Sequence, residues 1–238
     1  MKIDFCVPVY NEDEIFPANS ERIRQFLSGL GWLPEWRLVF IVNGSSLDFQ
    51  KMVQAFTEQN RSQTACFIVE KAGKGRAIKT YFNFSQADIL VYMDVDLAVD
   101  LADLPLLLNL VLNKEVDLSF GSRMLPGSIK SRSWFRETSS RAYIFLSRLL
   151  LRHHFSDLQC GFKAMTNLAW QKIAPLIEDD AWFFDTELIY YAQKQGLKIK
   201  EIPVNWSENR YRRRQSKVKV WRESWIFLKK IIKLRRRA

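Results

Sequence analysis

Asp94-Val95-Asp96 is the place in this chain where residue types and spacing could support metal chemistry. It follows Ile89-Leu90-Val91-Tyr92-Met93, an apolar, partly β-branched run that reads as a strand buried on both faces of a parallel sheet. Ligands of open α/β sheets bind beyond the carboxyl ends of the strands, so two acids there stand where a site is expected. Side chains two apart on an extended strand face the same way. Asp94 and Asp96 could therefore converge on one hard cation, Mg2+ or Mn2+, bridging phosphate oxygens. An Asp-x-Asp alone is as easily a solvated strand end or a helix start, so the rest of the chain must decide.

The elements that would position this pair alternate. Lys2 to Val9 is an apolar strand, and Ser20 to Leu30 has helical periodicity with Ser20 as N-cap. Leu38 to Val42 is a second strand, closed by Asn43-Gly44-Ser45-Ser46 and followed by a helix from Phe49 to Gln59. Ala65 to Val69 is a third, leading through Glu70-Lys71-Ala72-Gly73-Lys74-Gly75-Arg76-Ala77 into a helix that ends near Phe84. This βαβαβαβ order calls for a parallel sheet with right-handed crossovers. A helix over Leu101–Leu112 and a fifth strand over Val116–Phe120 follow, placing Gly121-Ser122-Arg123 at another strand end.

The 238 residues suit one large α/β domain with an appendage. Cys6, Cys66 and Cys160 lack metal-ligand spacing, and Met1 runs straight into a strand without a signal-peptide pattern, so the expectation is a reduced, cytosolic protein. No apolar run reaches the ~20 residues of a membrane span. The net charge of +10 is uneven: from Arg210 to Ala238 there are thirteen Lys or Arg against one acid, Glu223. The expected division is a domain over 1–209 and a basic tail over 210–238 that meets an anionic surface. His153 and His154, the only histidines, are adjacent and point in different directions, so neither is a catalytic candidate.

Val7-Pro8-Val9-Tyr10-Asn11-Glu12, Gly44-Ser45, Gly73-Lys74-Gly75-Arg76-Ala77 and Asp94-Val95-Asp96 resemble, in order and spacing, the inverting nucleotide-sugar glycosyltransferases of the GT-A fold. The branch they resemble holds the dolichyl- and polyprenyl-phosphate glycosyltransferases. Further marks are Gly121-Ser122-Arg123, Asp157 to Lys163, Phe184-Asp185-Thr186-Glu187-Leu188, Val204-Asn205-Trp206 and Ser216-Lys217. The resemblance implies a Rossmann-like, mostly parallel sheet flanked by helices, with amphipathic interface helices toward the C-terminus. Two departures stand out. Val42 and Asn43 occupy the place of two acids, and Ala98 stands where mannose synthases often carry Gln. With Gln159-Cys160-Gly161-Phe162-Lys163 worded as in the glucosyltransferases, UDP-glucose is the favoured donor and GDP-mannose the alternative.

On this resemblance Pro8, Tyr10, Glu12, Asn43 and Lys74 hold the nucleotide, with Asn43 at the base, Glu12 at the ribose and the glycines letting the backbone pass close to the ligand. Asp94 and Asp96 hold the metal, while Arg123, Arg136, Ser216 and Lys217 bind the acceptor phosphate. Asp157 orients the acceptor, acts as base or merely caps a helix. Asp185 either caps a helix over Thr186–Gln195 or, with Glu187, lines the sugar pocket. A polyprenyl monophosphate brings its own oxygen anion, with a second pKa of about 6, so a strong general base is dispensable. One displacement would invert an α-linked donor.

Residues 124–152 read as an acceptor loop followed by an amphipathic helix over Thr138–Arg152, apolar at Tyr143, Phe145, Leu146, Leu149 and Leu150. In the tail, Val218, Trp221, Trp225, Leu228 and Ile232 form an apolar stripe among lysines and arginines. Such a helix lies at headgroup level, or packs its stripe on the domain and leaves Arg235 to Arg237 to lipid. The expected partners are a nucleotide-sugar, a polyprenyl phosphate, the cytoplasmic face of a membrane, and a membrane protein or second copy, with no nucleic acid. Readings of other classes are a nucleotidyltransferase, which would show a Gly-rich first turn where this chain has Pro8 to Glu12, and a basic membrane or nucleic-acid adaptor. Within the transferase reading, another lipid or glycan acceptor is the runner-up.

Overall fold

The computed structural model describes residues 1–131, 134–207 and 220–237, with the side chains of 1–129, 143–207 and 226–237. Strands β1 (Lys2–Val9), β2 (Glu35–Asn43), β3 (Thr64–Val69) and β4 (Ile89–Met93) pair in parallel with β1 between β2 and β4. Strand order reverses at β1, so a crevice opens beyond the carboxyl ends of β1 and β4. β5 (Leu118–Ser122) lies further out, separated from β4 by β7 (Phe162–Thr166), which is antiparallel to both, and β8 (Ile199–Pro203) closes the order β3-β2-β1-β4-β7-β5-β8. β6 (Lys130–Ser131) and β9 (Trp206–Ser207) form a separate two-stranded ribbon.

Side-chain alternation divides the core in two. Phe5, Val7, Leu38, Phe40 and Val91 face α1 (Phe16–Gly29), α2 (Leu47–Gln59) and α4 (Leu104–Leu112). Cys6, Val39, Ile41, Leu90 and Tyr92 face α3 (Lys74–Phe84), α6 (Asn167–Ile173) and α7 (Phe184–Lys194). α5 (Trp134–Leu151) and α8 (Val220–Arg237) pack together over the second face, with Phe227 against Tyr143 and Phe183.

Helix starts differ from the sequence expectation. α1 begins at Phe16 rather than Ser20, because Pro17 preforms the first turn and Phe16 anchors it edge-on to Phe40, Phe49 and Phe56. Ser20 is buried inside the helix and caps nothing. α2 starts at Leu47, capped by the Ser46 hydroxyl, which accepts from the Phe49 N–H. The stretch expected as one helix over Leu101–Leu112 opens with a 3-10 turn, Leu101–Asp103, and α5 starts four residues before Thr138. Among the described side chains of α8, Ile231 and Leu234 are buried, while Ile232 of the expected stripe is 40% exposed. Residues 218 to 225 of that stripe lie outside the described side chains.

Candidate active site

Asp94 lies one residue past the end of β4, and Asp94 to Leu97 turns back, with the Leu97 N–H donating to the Asp94 carbonyl at 3.3 Å. The two acids are thus presented by a turn pinned by buried Val95, rather than by strand alternation. Asp96 Oδ1 accepts from the Ala98 N–H at 2.9 Å. Asp94 Oδ1 pairs with Lys74 Nζ at 2.8 Å. That lysine, the first residue of α3, also lies 3.6 Å from Asp185 Oδ2. Burial alone would depress the Lys74 ammonium, but Asp185 and Asp94 hold it above the ordinary lysine range.

Asp185 is not a helix cap. It sits in the first turn of α7, 1% exposed, and accepts from Lys163 Nζ at 2.6 Å and from the Tyr92 hydroxyl. Burial opposes its ionisation, but Lys163 and Lys74 keep its carboxyl below the usual range. Lys163 is fully buried in β7 and also donates to the Cys160 carbonyl at 2.5 Å. Glu187 accepts from the Glu178 and Asp179 N–H groups at 2.8 and 2.7 Å, so it holds backbone rather than lining a sugar pocket.

The expected base contact, Asn43, is 4% exposed and committed elsewhere. Its Nδ2 donates to the Val9 carbonyl and its Oδ1 accepts from the Gly73 N–H, both at 2.9 Å. It ties the ends of β1 and β2 to the turn carrying Lys74. The glycines of that turn make room for protein rather than ligand: a Cβ on Gly75 would lie 2.6 Å from the Asp179 carbonyl oxygen and from Phe184 Cβ. Arg76 is drawn to Asp180 at 2.6 Å. Pro8 is half-buried near the end of β1, Tyr10 is 39% exposed just past it, and the Glu12 carbonyl accepts from Phe16 N–H at 2.8 Å at the start of α1.

On the other side of β7, Arg123 follows β5. Its Nε and Nη2 donate to Asp157 Oδ2 and Oδ1 at 2.6 and 2.9 Å, and its guanidinium stands over the Trp206 ring at 5.6 Å. Asp157 also accepts from the Arg123 and Gln159 N–H groups. It is not in a helix. Burial resists its charge, but Arg123 and these amides hold its carboxyl below the ordinary range. Next to it, Ser122 and Ser156 hydroxyls share a 2.6 Å hydrogen bond and Ser156 donates to Glu201 at 2.5 Å. Gln159 Nε2 donates to Thr186 Oγ1 at 2.5 Å, and that hydroxyl meets Tyr143 of α5, also at 2.5 Å. Arg136 lies on α5 with its side chain outside the described set, and Ser216 and Lys217 fall outside the described residues.

Asp157 to Gly161 joins the two centres. Asp157 grips Arg123, and Gly161 lies so close to Asp94 that a Cβ there would collide with Oδ2. Four residue steps reach at most about 14 Å. Sequence reading quoted Gln159, Lys163 and Thr186 within family marks and Tyr92 within the fourth strand, but gave none of them a role. The available signals were a lysine inside an apolar strand and a tyrosine in an aliphatic one.

A mostly parallel seven-stranded sheet flanked by helices, with acids past β4 and an arginine past β5, is the architecture of a GT-A glycosyltransferase. The chain belongs to glycosyl transferase family 2, whose model matches residues 4–173. It is 40% identical over 137 residues to glycosyltransferase AglD of Haloferax volcanii, covering 58% of this chain and 22% of AglD. The human dolichyl-phosphate beta-glucosyltransferase is 28% identical over 220 residues, covering 87% of this chain and 68% of the relative, and the Dictyostelium discoideum enzyme is 27% identical over 217 residues, covering 87% and 66%. The chain thus spans about a fifth of AglD and about two thirds of the glucosyltransferases. Glucosyl-3-phosphoglycerate synthase of Mycobacterium tuberculosis, in complex with Mn2+, UDP and glucosyl-3-phosphoglycerate, superposes with a TM-score of 0.66 at 16% identity, covering 98% of this chain and 78% of that one. This likeness supports the fold.

Proposed function

We propose that this chain transfers a hexose, with UDP-glucose the favoured donor, to a polyprenyl phosphate, either dolichyl or undecaprenyl, with inversion. The observation that carries this is the run Asp157 to Gly161, which sets a buried, forked arginine within a few residues of half-buried Asp94. The relatives named dolichyl-phosphate beta-glucosyltransferase supply the acceptor class and the sugar.

Asp94 and Asp96 suit Mg2+ or Mn2+, since both offer hard carboxylate oxygens and Asp94 is 37% exposed. Among the described residues no three His, Cys, Asp or Glu side chains gather around a metal position, so donor diphosphate oxygens and water would supply the remaining ligands. Bound there, the ion would neutralise charge on the departing nucleoside diphosphate. Arg123 keeps Nη1 outside its fork with Asp157 and presents it to the acceptor phosphate, and Arg136 on α5 and Lys217 add charge to the same anion. Asp157 is a positioning residue for Arg123. The acceptor phosphate oxygen attacks the anomeric carbon, the bond to the nucleoside diphosphate breaks, and no protein base is required.

Membrane association has physical support in α5, where Phe145 and Leu149 are 68% and 64% exposed and Leu146 is 37% exposed, beside the basic α8. No helix among the described residues is long and apolar enough to cross a bilayer. On this reading the exposed face of α5 meets the cytoplasmic side of a membrane, where nucleotide-sugars are available.

The test is incorporation of labelled sugar into butanol-extractable lipid by purified protein with Mn2+ or Mg2+, given polyprenyl phosphate and either UDP-glucose or GDP-mannose. A mild-acid-labile product from UDP-glucose, absent without polyprenyl phosphate, is expected. Product from GDP-mannose alone would replace the donor, and no lipid product from either, with UDP still bound, would move the acceptor to another lipid or glycan.

A further inference from the structure

We infer that Lys74 is a built-in stand-in for the divalent cation: its ammonium neutralises Asp94 until metal and nucleotide diphosphate arrive together. The inference rests on the reading that Asp94 and Asp96 hold that cation. Lys74 Nζ is 2.8 Å from Asp94 Oδ1 and 3.6 Å from Asp185 Oδ2, and the side chain is only 8% exposed. Its position is enclosed. A Cβ on Gly161 would stand 2.6 Å from Nζ, and the rings of Tyr92 and Trp182 lie 5.5 and 5.4 Å from it.

The charges of Lys74, Lys163, Asp94 and Asp185 already offset one another, leaving Asp96 as the other carboxylate of the site. Lys74 and Lys163 face Asp94 and Asp185 through pairs of 2.6 to 3.6 Å. A divalent ion entering alone would meet a carboxylate whose charge is already spent and an ammonium a few ångströms away, with like charges poorly screened at a largely buried site. The same ion entering with a diphosphate brings nearly compensating negative charge and gives the ammonium new oxygens to bind. The protein also has few ligands to offer a bare ion: among the described residues, no group of three His, Cys, Asp or Glu is placed to hold one. Lys74 therefore sets the order of binding, disfavouring metal alone and favouring the metal–diphosphate pair. Asp185, paired with Lys163 at 2.6 Å, keeps a buried negative charge beneath the lysine in either state.

The experiment is an Mn2+ titration of the full chain followed by electron paramagnetic resonance, without nucleotide and then with UDP, on wild type, K74Q, K74M and K74R, with thermal melts confirming that each is folded. Wild type is expected to bind Mn2+ weakly without UDP. K74Q and K74M should bind the bare ion at least about tenfold more tightly, and K74R, which keeps the charge, should stay weak. Tight binding of bare Mn2+ by wild type, or charge-removing variants that bind it no better, would overturn the role of Lys74. Failure of all four proteins to bind Mn2+ even with UDP would instead overturn the donor-site reading beneath it.

Discussion

Arg123 and Asp157 form a buried fork, with two side-chain hydrogen bonds of 2.6 and 2.9 Å and a third from the Arg123 backbone N–H at 3.2 Å. The fork takes Nε and Nη2, and the proposed acceptor contact is made by Nη1. R123K keeps a charge but loses the fork, so the acceptor KM should rise about tenfold or more while the donor KM stays within about twofold. D157A leaves a buried guanidinium unpaired and should cost about 3–5 kcal/mol of stability, whereas D157N, which keeps the shape, should cost less. Steady-state kinetics with each substrate varied, and urea unfolding, separate the two effects. The folded Asp157 carboxyl lies below its ordinary range. The pair's contribution is therefore complete above the unfolded carboxylate value of about 3.9 and is lost as pH falls through the lower folded value.

Asn43 makes a different kind of prediction, because its amide joins the Val9 carbonyl to the Gly73 N–H. N43A removes a partner from the buried Val9 carbonyl and from the part-buried Gly73 N–H, and should cost about 1–3 kcal/mol for the first and less for the second. N43D can still accept from Gly73 but cannot donate to Val9. Both variants should bind UDP more weakly because the Lys74 turn loses its tether, and calorimetric titration beside a thermal melt would measure both losses.

Much of this was legible locally. β1 runs over Lys2–Val9 as its apolar pattern indicates, β3 and β4 stop at their last apolar residue, β2 runs one residue further to Asn43, and β5 is shifted two residues along from the expected Val116–Phe120, through Gly121 to Ser122. The acids past β4 and Arg123 past β5 needed only those strand ends. What stayed hidden depends on distant partners. β7 inserts antiparallel between β4 and β5, and Phe162-Lys163-Ala164-Met165-Thr166 does not reveal that its lysine will meet Asp185. The Gly73 and Gly75 turn looked shaped for a ligand because the segment crowding it, Asp179 to Phe184, lies about a hundred residues away in sequence. Asn43 looked free for a base for the same reason.

Gly161 gives the sharpest steric prediction. A Cβ there would collide with Asp94 Oδ2 and stand 2.6 Å from Lys74 Nζ, so both members of that ion pair would have to shift. G161A should lose transfer by at least about a hundredfold, the scale of a misplaced reacting group. It should also lose Mn2+-dependent UDP binding while keeping the helical circular dichroism of the wild type.

His153 governs acid sensitivity away from the chemistry. It is 6% exposed, its Nε2 shares a 2.9 Å hydrogen bond with Ser147 on α5, and its Nδ1 makes no hydrogen bond. Burial, with Arg148 and His154 nearby, lowers it from 6.5 to about 4. The neutral ring is the folded form, so its contribution is complete above the unfolded value near 6.5 and is lost progressively as pH falls toward about 4. The loss should approach about 3 kcal/mol, and H153Q should flatten that stretch of the stability curve in urea titrations at fixed pH.

The most direct test of the whole account is the structure of the product. Purified chain with Mn2+, UDP-glucose and polyprenyl phosphate should yield a lipid one hexose heavier by mass spectrometry, joined through phosphate in the β configuration by proton NMR, and D96N should yield none while melting like wild type. An α-linked sugar, a hexose on any group but the phosphate, or undiminished product from D96N would contradict it.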